Sequence, residues 1–417
     1  MSKNSKQPKF CPERVSGIQS PKDRREALET ITRAFTRPEW MERHMAKCVW
    51  QGSIASPEHT RIAVADGRVV SAVAMGPRMM RFGPVAVPAM TIGPVGTHDQ
   101  FRKQGYSFAA MNDASNWMRD NGILIGYLQG IPDYYYRYGY YPYMTPTRVK
   151  LQRENMRKQA AAMKLRAMTR ADIPAVAAFY EKAMANRICT ALRSRELWQW
   201  LLGPGRKTWF FHNPKLIFDA SGKLAGYFTN ASKDQLDIKE IVVRADESAC
   251  RAALGALVAE ARRREIKELS FPIGWIDPLA VFTRQQVPAE FSVYSNPTGG
   301  SVMKIVDFPR LMKALEPLFT QRWRESHTAL GPIQFSMECE LGAVGIAVAK
   351  DAVQVLEAVK GPRVRVPQRW LSGLLTGYST LDDIAGRDGV SVPGKLKPVM
   401  DVLFPRDWPW VHQADNY

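Results

Sequence analysis

Between Val95 and Ala109 the chain changes periodicity, and that change limits its fold more than any other passage. An apolar run from Met90 to Val95 has the length of a strand, and Phe108, Met111, Ser115 and Met118 then recur at helical spacing. The turn between them holds Arg102, Gly105 and Ser107 in the order Arg-x-x-Gly-x-small. Such a turn aims several backbone N–H groups at one point, where the helix N-terminus adds positive potential, so it can hold a pyrophosphate. Gly105 lets the backbone approach an anion closely, and Ser107 keeps the first helical turn uncrowded. An ordinary turn capping a surface helix would use the same residues. The segment after the helix decides between the two.

After Gly122 comes a second apolar run, Ile123 to Leu128, and then Gly130-Ile-Pro-Asp-Tyr-Tyr-Tyr-Arg-Tyr-Gly-Tyr140. The order strand, Arg-x-x-Gly-x-Ser turn, helix, strand, Tyr-x-x-x-Gly-aromatic resembles the GNAT acetyl-CoA-dependent N-acetyltransferases. That resemblance implies roles for individual residues. Val95, Gly96 and Thr97 would pair through their backbone with the pantetheine arm, much as a peptide adds to a sheet edge. Arg102, Lys103, Gln104, Gly105, Tyr106, Ser107 and Phe108 would form the pyrophosphate turn, with Gly130 and Ile131 flanking the coenzyme. Tyr135, four residues before Gly139, would protonate the departing thiolate. A phenol with its ordinary pKa near 10 is still protonated at neutral pH and can donate. Tyr134, Tyr136, Tyr138, Tyr140 and Tyr141 crowd the same segment, and most of these six must be packing residues.

At 417 residues the chain is expected to form two or three domains. Its apolar runs are only strand-length, which excludes a transmembrane helix as an expectation. The opening Met1-Ser-Lys-Asn-Ser-Lys has no apolar stretch behind it, so no secretory leader is expected and residues 1–14 read as a flexible lead. Cys11, Cys48, Cys189, Cys250 and Cys339 are odd in number, scattered and without metal-ligand spacing, which suits a reducing cytoplasm and offers no zinc or iron site. The net charge of +18 admits nucleic-acid or membrane-surface binding. Yet Lys and Arg are spread along the chain, thickening only from Arg137 to Arg170, and no nucleic-acid motif accompanies them. The charge is better read as solubilising and as complementing an anionic coenzyme, with no nucleic-acid or membrane partner.

The first unit, residues 15–150, starts with a helix from Pro21 to Phe35 and strands Thr60–Ala65 and Arg68–Met75 around an Asp66-Gly67 turn. Strands at Val85–Val87 and Met90–Val95 complete the approach to the motif. A second unit, 164–299, opens with a helix start at Thr169-Arg-Ala-Asp172. It places strands at Lys215–Phe218, Leu224–Thr229 and Leu236–Val243, then a helix Ser248–Arg264 and a strand near Leu269. This repeats the GNAT order, but the junction after Val243 has no glycine, and Asp246 and Glu247 would repel a pyrophosphate. The unit reads as a degenerate copy without a coenzyme site.

From residue 300 a third unit, 300–417, offers a strand Val302–Val306, a helix from Asp307 to Leu318, and strands Phe335–Leu341, Gly345–Ala349 and Ala352–Leu356. It resembles a sterol-carrier-protein-like α/β domain. Mixed α/β tandem GNAT folds followed by such a domain resemble the enhanced-intracellular-survival (Eis) family of acetyltransferases. That resemblance implies a homo-oligomer, a hexamer by family, and a general base formed by the chain's own terminal carboxylate, here Tyr417. The last residues, Phe404 to Tyr417, hold aromatics and prolines in place of a frayed polar tail. A tail that merely seals the third unit would look the same. His98 and Asp99, next to the motif, read as a solvated or capping pair on an exposed turn rather than a dyad, and Asp382-Asp383 as a helix start. The expected function is transfer of acetyl from acetyl-CoA to a primary amine of a small molecule or peptide. A lipid-binding protein with a vestigial first unit is the competing reading.

Overall fold

The computed structural model describes residues 12–35, 39, 50, 57–203, 211–230, 236–327 and 331–416. Asp66 (φ 50°) and Gly67 (φ 65°) both take the left-handed conformation that a two-residue hairpin demands. After β1 (Arg14–Gly17), this turn joins β2 (Arg61–Ala65) to β3 (Arg68–Phe82). β3 is the long central ribbon of the sheet. It pairs antiparallel with β4 (Val85–Thr97) from Phe82↔Val85 to Ser71↔Thr97, so the two strands expected in this stretch are one.

The expected helix near Pro21 is α1 (Pro21–Arg33), started by the Ser20 side chain accepting from Asp23 N–H. It lies against β3 and β4 so closely that a Cβ at Gly96 would stand 2.7 Å from the Ile31 Cα. Gly96 is therefore required by helix packing, a reason the sequence motif does not contain.

A parallel connection from β4 to β5 (Ile125–Gly130) needs a crossover element, and α2 (Tyr106–Asp120) supplies it. Its buried stripe is Tyr106, Ala110, Met111, Ala114 and Met118, packed with Val73, Met75, Met90 and Leu128. The expected face is thus rotated. Phe108 is 49% exposed, because the small Ala110 and Ala114 are what let the helix settle onto the sheet.

Three strands lie in the sheet of a neighbouring segment, and one of them, Ile188–Leu192 of the second unit, pairs antiparallel with β3. Gly300–Ile305, expected to open the third unit, pairs antiparallel with the far edge of β5 and with Tyr141–Pro142, which completes the first sheet. Thr147–Gln152, expected to end the first unit, pairs instead with Glu268–Pro272 and Ala289–Val293. A bare β5 edge would present unpaired N–H and C=O groups, and the later strand covers it. Such long-range pairing leaves no local mark, so units cut at 150 and 300 do not coincide with the sheets.

The second unit keeps its expected order. Met163–Ala167, Lys215–Asp219, Leu224–Asn230 and Ile238–Val243 form one antiparallel sheet, followed by helix Glu247–Arg263 and strand Glu268–Pro272. Thr169 and Asp172 form the expected capping box before helix Ile173–Met184. In the last segment the helix expected to Leu318 is two, Phe308–Ala314 and Glu316–Glu325. Pro317 has no N–H to continue the ladder, so the second helix starts around it. Strands Ile333–Cys339, Gly342–Val348, Val353–Leu356 and Arg363–Arg365 form a four-stranded sheet. Its Phe335, Met337, Val344 and Ile346 share one core with Val87, Ile125, Tyr127 and Met303 of the first sheet.

Candidate active site

The site begins where two parallel strands part. β4 and β5 pair at Ala89↔Ile125, Met90↔Gly126 and Thr91↔Tyr127, and among the described residues the ladder stops there. β4 nevertheless continues to Thr97 and β5 to Gly130. Beyond Thr91 one edge of β4 stays tied to β3 through Val95↔Val73, Gly96↔Ala72 and Thr97↔Ser71. Its other edge faces the opening wedge, where among the described residues no strand partner follows Thr91.

At the end of β4 the single turn Asp99–Phe101 leads into Lys103 (φ 60°) and Gly105 (φ 91°). Gly105 is the N-cap of α2 and has no side chain to satisfy the N–H groups of the first turn. Those of the Tyr106–Phe108 turn begin the helix, where no intrahelical acceptor precedes them. The Arg102 guanidinium pairs with Asp99 at 2.8 Å and donates to the Thr97 carbonyl at 3.4 Å, holding the loop shut on itself. Gln104 donates to the Gln100 carbonyl at 2.8 Å. Lys103, Gln104 and Gly105 are exposed.

Tyr135 stands at the other lip of the wedge. It opens a short helical turn, Tyr135–Tyr138, that Gly139 (φ 84°) closes by donating to the Tyr136 carbonyl at 3.0 Å. Its ring lies over the end of β5: a Cβ at Gly130 would come within 2.9 Å of Tyr135 Cδ2. Gly130 therefore serves the tyrosine as much as any ligand. The Tyr134 hydroxyl hydrogen-bonds Ser107 Oγ, joining the Gly105 turn to the tyrosine segment across the opening. Tyr138 and Tyr140 are buried, and that burial pushes both phenols well up. Tyr135, by contrast, is only half-buried. Ile131 (62% exposed) and Phe108 give the mouth an apolar rim.

His98 is not solvated as expected. It is 8% exposed and stacks edge-on against Phe101, 5.7 Å between centroids, while burial lowers its pKa. Asp99 is the exposed member of the pair, and its carboxylate holds Arg102. Asp383 closes a capping box on Thr380, as its helix-start reading required. In the second unit Asp246 is the N-cap of helix Glu247–Arg263, and its carboxylate accepts from the Ala249 N–H at 2.9 Å. An internal anion thus sits where a pyrophosphate would.

The chain's last described residues return to the wedge. Trp410, Val411, His412 and Ala414 to Asn416 are buried, and the Asp415 carbonyl accepts from the Tyr127 hydroxyl at 2.8 Å. Tyr127 belongs to the last rung before β4 and β5 separate. The Asp415 carboxylate is gripped by Arg193, Nε to Oδ1 and Nη2 to Oδ2, both at 2.8 Å. Arg193 in turn donates twice to Glu240 at 2.7 Å, and Tyr227 donates to the same carboxylate at 2.5 Å. All three charged side chains are 0% exposed. Tyr417 itself lies outside the described residues. The sequence reading missed this cluster; its only signal was Arg193 directly after the apolar run Ile188–Leu192, and Lys239 and Glu240 inside the otherwise apolar run Ile238–Val243.

Residues 18–143 match the acetyltransferase (GNAT) domain family. No curated protein matches the sequence. Solved structures share the architecture over nearly the whole chain. A GCN5-related N-acetyltransferase from Anabaena variabilis has a TM-score of 0.74 at 16% identity, covering 95% of this chain and 98% of its own. One from Kribbella flavida has 0.71 at 15%, covering 96% and 99%. Eis1 from Mycobacterium abscessus has 0.67 at 16%, covering 95% and 98%. At such identities the likeness is one of fold.

Proposed function

From a chain that carries a GNAT acetyltransferase domain inside an Eis-type fold, we propose an acetyl-CoA-dependent N-acetyltransferase that moves acetyl directly to a primary amine. The observation that carries the reading is the wedge itself: parallel strands that part after Thr91 and Tyr127, with an uncapped helix start on one side and a tyrosine ring on the other. The pantetheine arm pairs with the open edge of β4 around Val95 and Thr97, as a strand adds to a sheet. Backbone N–H groups from Lys103 to Phe108 hold the pyrophosphate, while Arg102 braces the loop. A β4 N–H polarises the thioester carbonyl, where negative charge develops.

The neutral amine attacks the carbonyl carbon, a C–N bond forms and the C–S bond breaks. Tyr135 gives its phenolic proton to the leaving sulfur, and the proton lost by nitrogen goes to the Tyr417 carboxylate. A terminal carboxylate is ordinarily a weak base, and burial beside apolar groups would raise its pKa. The tail's return to Tyr127 supports this assignment. The competing reading needs room for an apolar ligand in the last segment, whose sheet-helix interior is filled by Phe335, Met337, Val344, Leu371 and Leu374.

Initial rates measured against both acetyl-CoA and a panel of primary amines test the proposal. Direct transfer requires a ternary complex and intersecting double-reciprocal lines. Parallel lines, the pattern of a covalent acetyl-enzyme, would refute it.

A further inference from the structure

The second unit has lost its own coenzyme turn, yet its sheet helps to build a fully buried ion cluster. Glu240 and Tyr227 lie on that sheet, and Arg193 follows strand Ile188–Leu192, which is itself hydrogen-bonded to β3 of the first sheet. Arg193 is sandwiched by rings, 4.4 Å over Tyr180 and 5.0 Å over Trp198. Arg78 reaches the same region from β3. Burial would push the Glu240 carboxyl up, but the Arg193 guanidinium overrides it and holds the group ionised well below the usual range. The two carboxylates likewise outweigh burial at Arg193 and keep it charged. Arg193, Glu240 and Asp415, with Arg78 close by and His412 Nδ1 3.9 Å from Glu240, thus make a dry cluster drawn from three parts of the chain.

Desolvating four charges costs several kcal/mol per ion before pairing offsets it, so a cluster of this kind is a weak source of stability. Its geometric result is specific. The planar fork of Arg193 fixes both oxygens of Asp415, and Tyr127 fixes its carbonyl. Three bonds therefore set the position of a residue two places before Tyr417, at the last rung of the β4–β5 ladder.

We infer that Arg193 and Glu240 are positioning residues for the acetyl transfer: the degenerate unit acts as a socket that aims the tail into the first unit's wedge. This rests on the role proposed for Tyr417. A reacting group displaced by about 1 Å can lose on the order of a hundred-fold in rate, which is the effect a loosened socket should have.

The test compares Asp415→Asn, which keeps shape and removes charge, with Arg193→Lys, which keeps charge and removes the fork. Both are assayed in the full chain for kcat, for KM of acetyl-CoA, and for amide hydrogen exchange over residues 411–416. We expect kcat to fall roughly ten- to a hundred-fold in each, KM for acetyl-CoA to stay put, and the tail amides to exchange faster. Unchanged kcat with an unchanged tail would overturn the socket and leave the Tyr417 assignment standing. Unchanged kcat with a released tail would overturn the socket and the Tyr417 assignment together. Loss of acetyl-CoA binding in Asp415→Asn would reduce the cluster to a structural role and overturn the inference as well.

Discussion

Six tyrosines lie between residues 134 and 141, and the fold divides their tasks. Tyr134 bonds Ser107, Tyr138 and Tyr140 are buried, Tyr136 is exposed, Tyr141 pairs with Met303 in the first sheet, and Tyr135 leans over Gly130 at the wedge. Its offset from Gly139 was legible in the sequence because a short helical turn closed by a left-handed glycine is a local structure. The contact with Gly130 was not, since it depends on where β5 ends. Tyr135→Phe removes only the proton donor. Turnover should drop on the order of ten- to a thousand-fold with acetyl-CoA affinity nearly unchanged, while Tyr136→Phe, at an exposed position, should do little. Steady-state kinetics beside equilibrium binding checks this, and equal small losses at both positions would remove Tyr135 from its role.

Between elements, the join that matters most is made by a residue no motif singled out. Lys304, on strand Gly300–Ile305, donates to Ser115 of α2 at 2.9 Å and to the Tyr138 carbonyl at 2.8 Å. One ammonium therefore ties the closing strand to α2 and to the tyrosine turn. Burial lowers its pKa to about 8. Between that value and the ordinary lysine value near 10.4, the unfolded chain binds more protons than the folded one. Stability should accordingly rise with pH across that window. Lys304→Met should flatten the rise, read as the difference between wild-type and variant denaturation midpoints from pH 7 to pH 10. Parallel profiles would show that Lys304 is not desolvated. The strand–turn–helix passage was readable because each part is short-range. The placement of Lys304 was hidden because its strand pairs with β5 from 170 or more positions away.

At the scale of the whole molecule, two GNAT-like sheets and a third segment are laced by strands and by the tail, and where the first has the Gly105 turn proposed to hold a pyrophosphate, the second has the capping carboxylate of Asp246. The composition made a multi-unit α/β chain legible, and the missing glycine after Val243 marked the second copy as degenerate. What the sequence could not convey is how the units depend on one another: Gly300–Ile305 completes the first sheet, Thr147–Gln152 the second unit's, and the buried Arg193 cluster seats the tail. These are contacts between distant positions, and no local periodicity encodes them. The central claim is a single acetyl-CoA site at the Gly105 turn. Asp at position 105 would put a carboxylate at the helix start proposed to hold the phosphates, the position that Asp246 takes as N-cap in the second unit. Calorimetric titration of acetyl-CoA into the wild-type chain and into Gly105→Asp, with the variant's melting followed in parallel, measures the claim directly. The account predicts one site per chain in the wild type and none in a folded variant. Two sites in the wild type, or one that survives Gly105→Asp, would contradict it.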